Sequence, residues 1–166
     1  MLNIYRKLKK LVRTCFHTWR FKRKALFCGK DLKVNFKSLA NNKTTVGDNF
    51  NSNGLLVIGN GELNVGKNFH CGFGCNIITE NHKFKDADQL PYGSEYERKT
   101  VNIGDNVWLG INVTILPGVT IGEGVIVQAG SVVVSDIEPL SICGGHPAIV
   151  FSCRDKVHYD KINTSL

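Results

Sequence analysis

From Ile103 onward an aliphatic residue returns every six positions: Ile103, Leu109, Ile115, Ile121, Val127, Val133. Four residues after each stands a second compact residue, namely Val107, Val113, Val119, Val125, Ser131 and Ile137. A helix would repeat at 3.6 and a plain strand at 2. A period of six fits a short strand followed by a tight turn, with one apolar side chain directed inward each time. Hexapeptide periodicity is the mark of a parallel β-helix. With three hexapeptides per coil, residue i stacks over residue i+18, and the aliphatics form interior ladders. Glycine is expected at the corners, where positive φ is needed.

The same beat runs earlier. Val65, Cys71 and Ile77 keep the spacing, with Phe69 and Cys75 in the second slot. Val46 and Ile58 stand one residue out of register with them, which predicts one inserted residue near 59–64. Between Ile77 and Ile103 the beat breaks for 26 residues, two more than four repeats. The intervening stretch, residues 79–100, is polar and contains Pro91-Tyr92-Gly93 and His82. It is expected to be an excursion loop, and long loops in compact domains tend to carry function.

The 166 residues suffice for one domain, and 42% apolar with 21% charged residues is a globular balance. The 17 glycines follow no Gly-x-y register, which excludes collagen. No apolar run approaches the length of a spanning helix, and the start has no apolar signal core. The net charge of +7 is unevenly held: residues 1–30 carry ten Lys/Arg and no acid, whereas the rest balances at −3. A body that is mildly acidic argues against a general nucleic-acid surface. The six cysteines, without a secretory signal, are expected as reduced thiols; Cys71 and Cys75 lack zinc-site spacing and fit small interior positions.

Ile103-Gly-Asp-Asn-Val-Trp-Leu-Gly, Ile115-Leu-Pro-Gly-Val-Thr-Ile-Gly, Ala129-Gly-Ser-Val-Val and Gly144-Gly-His-Pro-Ala together resemble the hexapeptide-repeat acyltransferases. The likeness is nearest to the galactoside/maltose O-acetyltransferases and the surface-polysaccharide O-acetyltransferases. It covers about residues 46–160, including the tail Arg154-Asp-Lys-Val-His-Tyr. The resemblance implies an all-β, left-handed parallel β-helix, a homotrimer with sites between subunits and acetyl-CoA as acyl donor; on residue spacing no metal is expected. The domains expected are a basic amphipathic helix over 1–30, the β-helix over 31–148 and a helical tail over 149–166.

Moving an acetyl group from a thioester to a hydroxyl calls for a base near neutral pKa, and histidine is the usual choice. His17 lies in the basic arm, His70 in a repeat, His146 in a Gly-Pro turn and His158 in the tail. His82 stands where the family's catalytic histidine falls, so the resemblance implies it as general base, with direct transfer and no acyl-enzyme. Glu80 could orient or charge-stabilise it, or be a solvated turn carboxylate. Asn76 could contact acceptor or cofactor, or form a turn. A cysteine nucleophile is disfavoured, because Cys71 and Cys75 occupy interior slots. By resemblance, Trp108 lies beside the thioester end of the cofactor groove. Main-chain groups at Gly110, Ile111, Ala129 and Val134 line the CoA arm, and Gly144, Gly145 and Pro147 form a turn under the adenine. Ile149 replaces a basic residue common in relatives, so Arg154 or Lys156 is the candidate for the phosphates.

Leu2, Tyr5, Leu8, Leu11/Val12, Cys15/Phe16 and Trp19 recur at helical steps, with Arg6, Lys7, Lys9, Lys10 and Arg13 on the remaining face. This amphipathic helix could cap the coil, burying its apolar stripe, or contact an anionic membrane face through residues 2–24. The function expected is acetyl-CoA-dependent O-acetylation of a sugar or surface-glycan hydroxyl, in the cytoplasm or at the inner face of its membrane. The alternatives are the same chemistry on serine, an amino sugar or an antibiotic, and a non-enzymatic scaffold. A carbonic-anhydrase-like site would need three zinc-ligating histidines at coil spacing, a pattern the sequence lacks.

Overall fold

The computed structural model describes residues 2–164, with side chains from residue 4 onward, so the Leu2 side chain lies outside the described residues. Helix α1 (Leu2–Lys22) leads into short strands that stack as three parallel sheets of five, seven and four strands. An antiparallel strand, Ile149–Cys153, closes the seven-stranded sheet, and helix α2 (Lys156–Asn163) follows. The expected parallel β-helix is the architecture observed. The helical segment of the tail is confined to α2; strand pairing with Ser141–Gly144 claims the residues before it.

The six-residue beat is the coil itself. Ile103 pairs with Ile121, Leu109 with Val127 and Ile115 with Val133, each 18 apart. Every one of these side chains is buried, and so are the second-slot residues from Val107 to Ile137. Two inward positions per hexapeptide therefore fill the prism, which no single coil could bury alone.

The early slip in register has a different anatomy from the one expected. Val57, not Ile58, pairs with the ladder residue Ile77, and Ile58 turns outward at 45% exposure. The turn after Ser52 is one residue short, and the turn before Leu63 is two residues long. The net displacement is one residue: Val46 pairs with Val65 at a spacing of 19.

One corner also departs from glycine. Asn49, Asn68 and Asn106 adopt φ of 54°, 54° and 60° and stack in a column. Asn49 Nδ2 donates to Asn68 Oδ1 at 3.1 Å, and Asn68 Nδ2 donates to Asn106 Oδ1 at 2.8 Å. Asparagine tolerates the left-handed region, and here its amide also binds the neighbouring coil, which glycine cannot do.

Both ends are capped. At the start, Phe21 of α1 stacks on Phe50 (centroids 5.3 Å apart), and Phe50 stacks on Phe69 (5.2 Å). At the other end α2 is held by Glu123, whose Oε1 accepts from Tyr159 Oη at 2.8 Å and from Asn163 Nδ2 at 3.1 Å. Burial and the Glu123 carboxylate push the Tyr159 phenol up to about 12. A raised folded-state pKa supports docking below the ordinary value of 10, and that support is lost as pH climbs toward 12. Thermal melts are expected to fall over that alkaline window in the native chain. In Tyr159→Phe they should fall less across the window, with the baseline lower by about 1 kcal/mol for the lost hydrogen bond.

Candidate active site

The coil is interrupted where Ile77 stacks on Ile115 at a spacing of 38, against 18 for an ordinary coil. The extra chain leaves after Thr79 as an antiparallel hairpin of Glu80–His82 and Tyr96–Arg98. Its base is clamped by the buried Thr79, whose Oγ1 accepts from Gly61 N at 3.1 Å and donates to Ile58 O at 3.0 Å. Lys83 and Glu95 form an ion pair at 2.9 Å just beyond the strands.

The hairpin register sets His82 opposite Tyr96 and Glu80 opposite Arg98. The imidazole is held between two rings: Tyr92 stacks on it with centroids 3.8 Å apart, and Tyr96 lies at 4.4 Å. Its Nδ1 is buried and has no hydrogen-bond partner among the described residues. A buried polar atom without a partner is costly. Tyr92, Tyr96 and Arg98 did not stand out in the sequence. The available signal was two tyrosines in an otherwise polar excursion.

Glu80 Oε2 accepts from Arg98 Nε at 2.9 Å. The Arg98 guanidinium holds the Glu80 carboxyl below its ordinary range, with the nearby His82 a minor contributor. The depressed pKa supports the fold above the ordinary value of 4.5, and that support is lost as pH falls below it. The Arg98 side chain is 52% exposed, so Arg98→Ala is expected to cost less than about 1 kcal/mol. Chemical denaturation at neutral pH against low pH would check this, the difference between variants shrinking as Glu80 protonates.

The remaining candidates fall elsewhere. Trp108 stands in an outward row of the seven-stranded sheet, between His70 and Ile126, and is 54% exposed. Gly110, Ile111 and Ala129 form the corner that follows it. A Cβ on Gly110 would come within 2.5 Å of the Ala129 nitrogen, so only glycine lets these two coils stack so closely. Ile111 and Ala129 present exposed side chains beside that bare backbone. Val134, exposed, follows Val133 at the end of the four-stranded sheet. Asn76 lies within that sheet and donates to Gly74 O at 3.1 Å, which is a turn-stabilising use. Arg154 sits at the far end: its Nε donates to the Gly124 carbonyl, and it lines a cavity of about 380 Å³ with Tyr159 and His158. Lys156 pairs with Asp160 at 3.0 Å. The buried Cys71 thiol is held well above its usual range by the neighbouring Cys75 thiol and by burial, which makes it a poor nucleophile.

The hairpin leaves at the end of the four-stranded sheet, whereas Trp108, Gly110, Ile111 and Ala129 hold the corner that precedes that sheet. The two groups of candidate residues therefore stand at separate corners of the coil.

Residues 100–135 match the family model described as bacterial transferase hexapeptide, six repeats. The galactoside O-acetyltransferase of Escherichia coli K12 is 32% identical over 120 residues, covering 70% of this chain and 58% of that protein. A hexapeptide-repeat acetyltransferase of Vibrio cholerae O1 biovar eltor, solved with acetyl coenzyme A, is 26% identical with a TM-score of 0.68, covering 81% of this chain and 74% of that one. A galactoside acetyltransferase in complex with coenzyme A shares the fold at a TM-score of 0.72 and 22% identity, over 91% and 84% of the two chains. The chain spans about half the length of the curated relatives it matches.

Proposed function

We propose that this chain, which carries the hexapeptide repeat of the bacterial transferases on the coil of the hexapeptide-repeat acetyltransferases, is itself an acetyl-CoA-dependent O-acetyltransferase. Its acceptor is the hydroxyl of a sugar or surface-glycan intermediate, and it works in the cytoplasm. The observation that carries this reading is His82, presented on a hairpin thrown out of the coil and stacked between Tyr92 and Tyr96.

Acetyl-CoA supplies an activated acetyl thioester. The corner at Trp108, Gly110, Ile111 and Ala129 suits its pantetheine arm, because glycine backbone there lies beside exposed apolar side chains. Val134 extends this lining, and the phosphates fall to Arg154 through whatever its Gly124 bond leaves free. His82 takes the proton from the acceptor hydroxyl through Nε2 as that oxygen attacks the carbonyl carbon. The carbon–sulfur bond breaks, and the imidazolium returns the proton to the departing sulfur, so no acyl-enzyme forms. The Glu80 carboxylate, held by Arg98, stands on the same face of the strand and is assigned to orient the His82 ring. Asn76 is assigned to the acceptor side. A homotrimer would bring the His82 corner of one subunit against the Trp108 corner of the next.

Thiol release from acetyl-CoA tests the reading, using a panel of galactosides, nucleotide sugars, lipid-linked glycans and amino sugars. Acceptor-dependent release with an acetyl ester as product is expected; transfer to an amine or to none of the panel would overturn the acceptor assignment. The shared site has its own test. Mixed oligomers of His82→Ala and Trp108→Ala chains should recover activity that neither variant has alone. No recovery after verified subunit mixing would place each site within one chain.

A further inference from the structure

Helix α1 uses only one of its faces to meet the coil. Thr18 Oγ1 accepts from Val34 N at 3.0 Å, Thr14 Oγ1 donates to Asn35 Oδ1 at 3.1 Å, and the Arg13 guanidinium lies 3.9 Å over the Phe36 ring. Phe21, on the same side, is buried. At 100° per residue, the apolar stripe falls on the opposite side of the helix. Capping therefore leaves the stripe uncovered: Ile4, Leu8, Val12, Phe16 and Trp19 are each more than half exposed. Lys9 and Arg20 border the stripe on one edge, Lys22 and Arg23 lie at its C-terminal end, and all four are exposed. No helix among the described residues is long and apolar enough to cross a membrane.

We propose that the outward face of α1 seats the protein on an anionic lipid surface, the stripe entering the interface and the bordering Lys and Arg meeting the lipid phosphates. Charge complementarity selects this occupant. Lys9, Arg20, Lys22 and Arg23 flank the stripe and residues 1–30 hold no acid, so a second copy of this face would bring like charges together. Tyr, Phe and Trp interspersed with basic residues along one face suit the boundary between headgroups and acyl chains. The helix would lie in the plane of the surface while its Thr14–Thr18–Phe21 side remains attached to the coil.

The test is co-sedimentation of the full chain with phosphatidylcholine vesicles with and without phosphatidylglycerol, a readout independent of acetyl transfer. Binding is expected to the anionic vesicles alone and to weaken with salt. Lys9→Gln with Lys22→Gln should weaken it about 25-fold, fivefold per charge, which corresponds to about 1 kcal/mol each. Leu8→Glu with Val12→Glu should abolish it. These side chains are exposed, so unchanged thermal melts would separate lost docking from lost folding. Equal binding to uncharged vesicles, no binding, or retention on RNA instead of lipid would overturn the proposal. So would concentration-dependent self-association that Val12→Glu disrupts, because the stripe would then belong to a second copy.

Discussion

Replacing His82 with alanine is expected to lower acetyl transfer by about 10²–10⁴-fold, the range for removing a general base. The loss should fall on kcat more than on KM for acetyl-CoA, because the proposed donor groove lies at another corner of the coil. The fold should survive, since His82 stands on an excursion and belongs to none of the interior ladders. Steady-state kinetics beside a thermal melt would distinguish the two effects, and an unchanged rate would remove His82 from the mechanism. Tyr92→Ala acts more gently. It strips one ring from the imidazole and leaves the other in place at 4.4 Å. A partial loss of kcat with an unchanged KM for acetyl-CoA and an unchanged thermal melt is expected, which a purely structural role would not produce.

The largest expected stability effect lies at the opposite end. Phe50 is fully buried between Phe21 of α1 and Phe69 of the coil. Phe50→Ala empties the middle of this three-ring stack and should cost about 3–5 kcal/mol. The corresponding fall in Tm is roughly 10 °C for a chain of this size. Because Phe21 rests on Phe50, the substitution also undermines the seat of α1. Helical signal should therefore be lost at lower denaturant concentration than sheet signal. Coincident transitions with a native-like midpoint would show that the stack contributes little.

The interior ladders were legible because their constraint is local and repeated. Ile103, Leu109, Ile115, Ile121 and Val127 each answer to the same six-residue spacing, and each is buried. The excursion was legible as an interruption of that spacing, and its histidine by resemblance. The early coils were harder. One short turn after Ser52 and one long turn before Leu63 offset each other almost completely, so the sequence showed the net slip and hid which residue, Val57 or Ile58, points inward. The Asn49–Asn68–Asn106 column was present as an asparagine before each inward residue. Its meaning depends on side chains 19 and 38 positions apart bonding across coils.

Period six, by itself, determined a stacked parallel coil and the set of side chains inside it, because a short strand with a tight turn can bury its apolar residues only against its own neighbours. The sequence likewise determined that α1 has an apolar and a basic side. Tertiary structure alone decided which side of α1 meets the coil, since at the open end the Val34 N–H donates to Thr18 Oγ1 and the Asn35 side-chain oxygen accepts from Thr14 Oγ1, bonds that the apolar stripe cannot supply. It also decided that His82 lies between Tyr92 and Tyr96, through an antiparallel register that joins residues 14 apart. Helical and strand periodicity describe a chain against itself, whereas these choices depend on distant segments competing for the same surface.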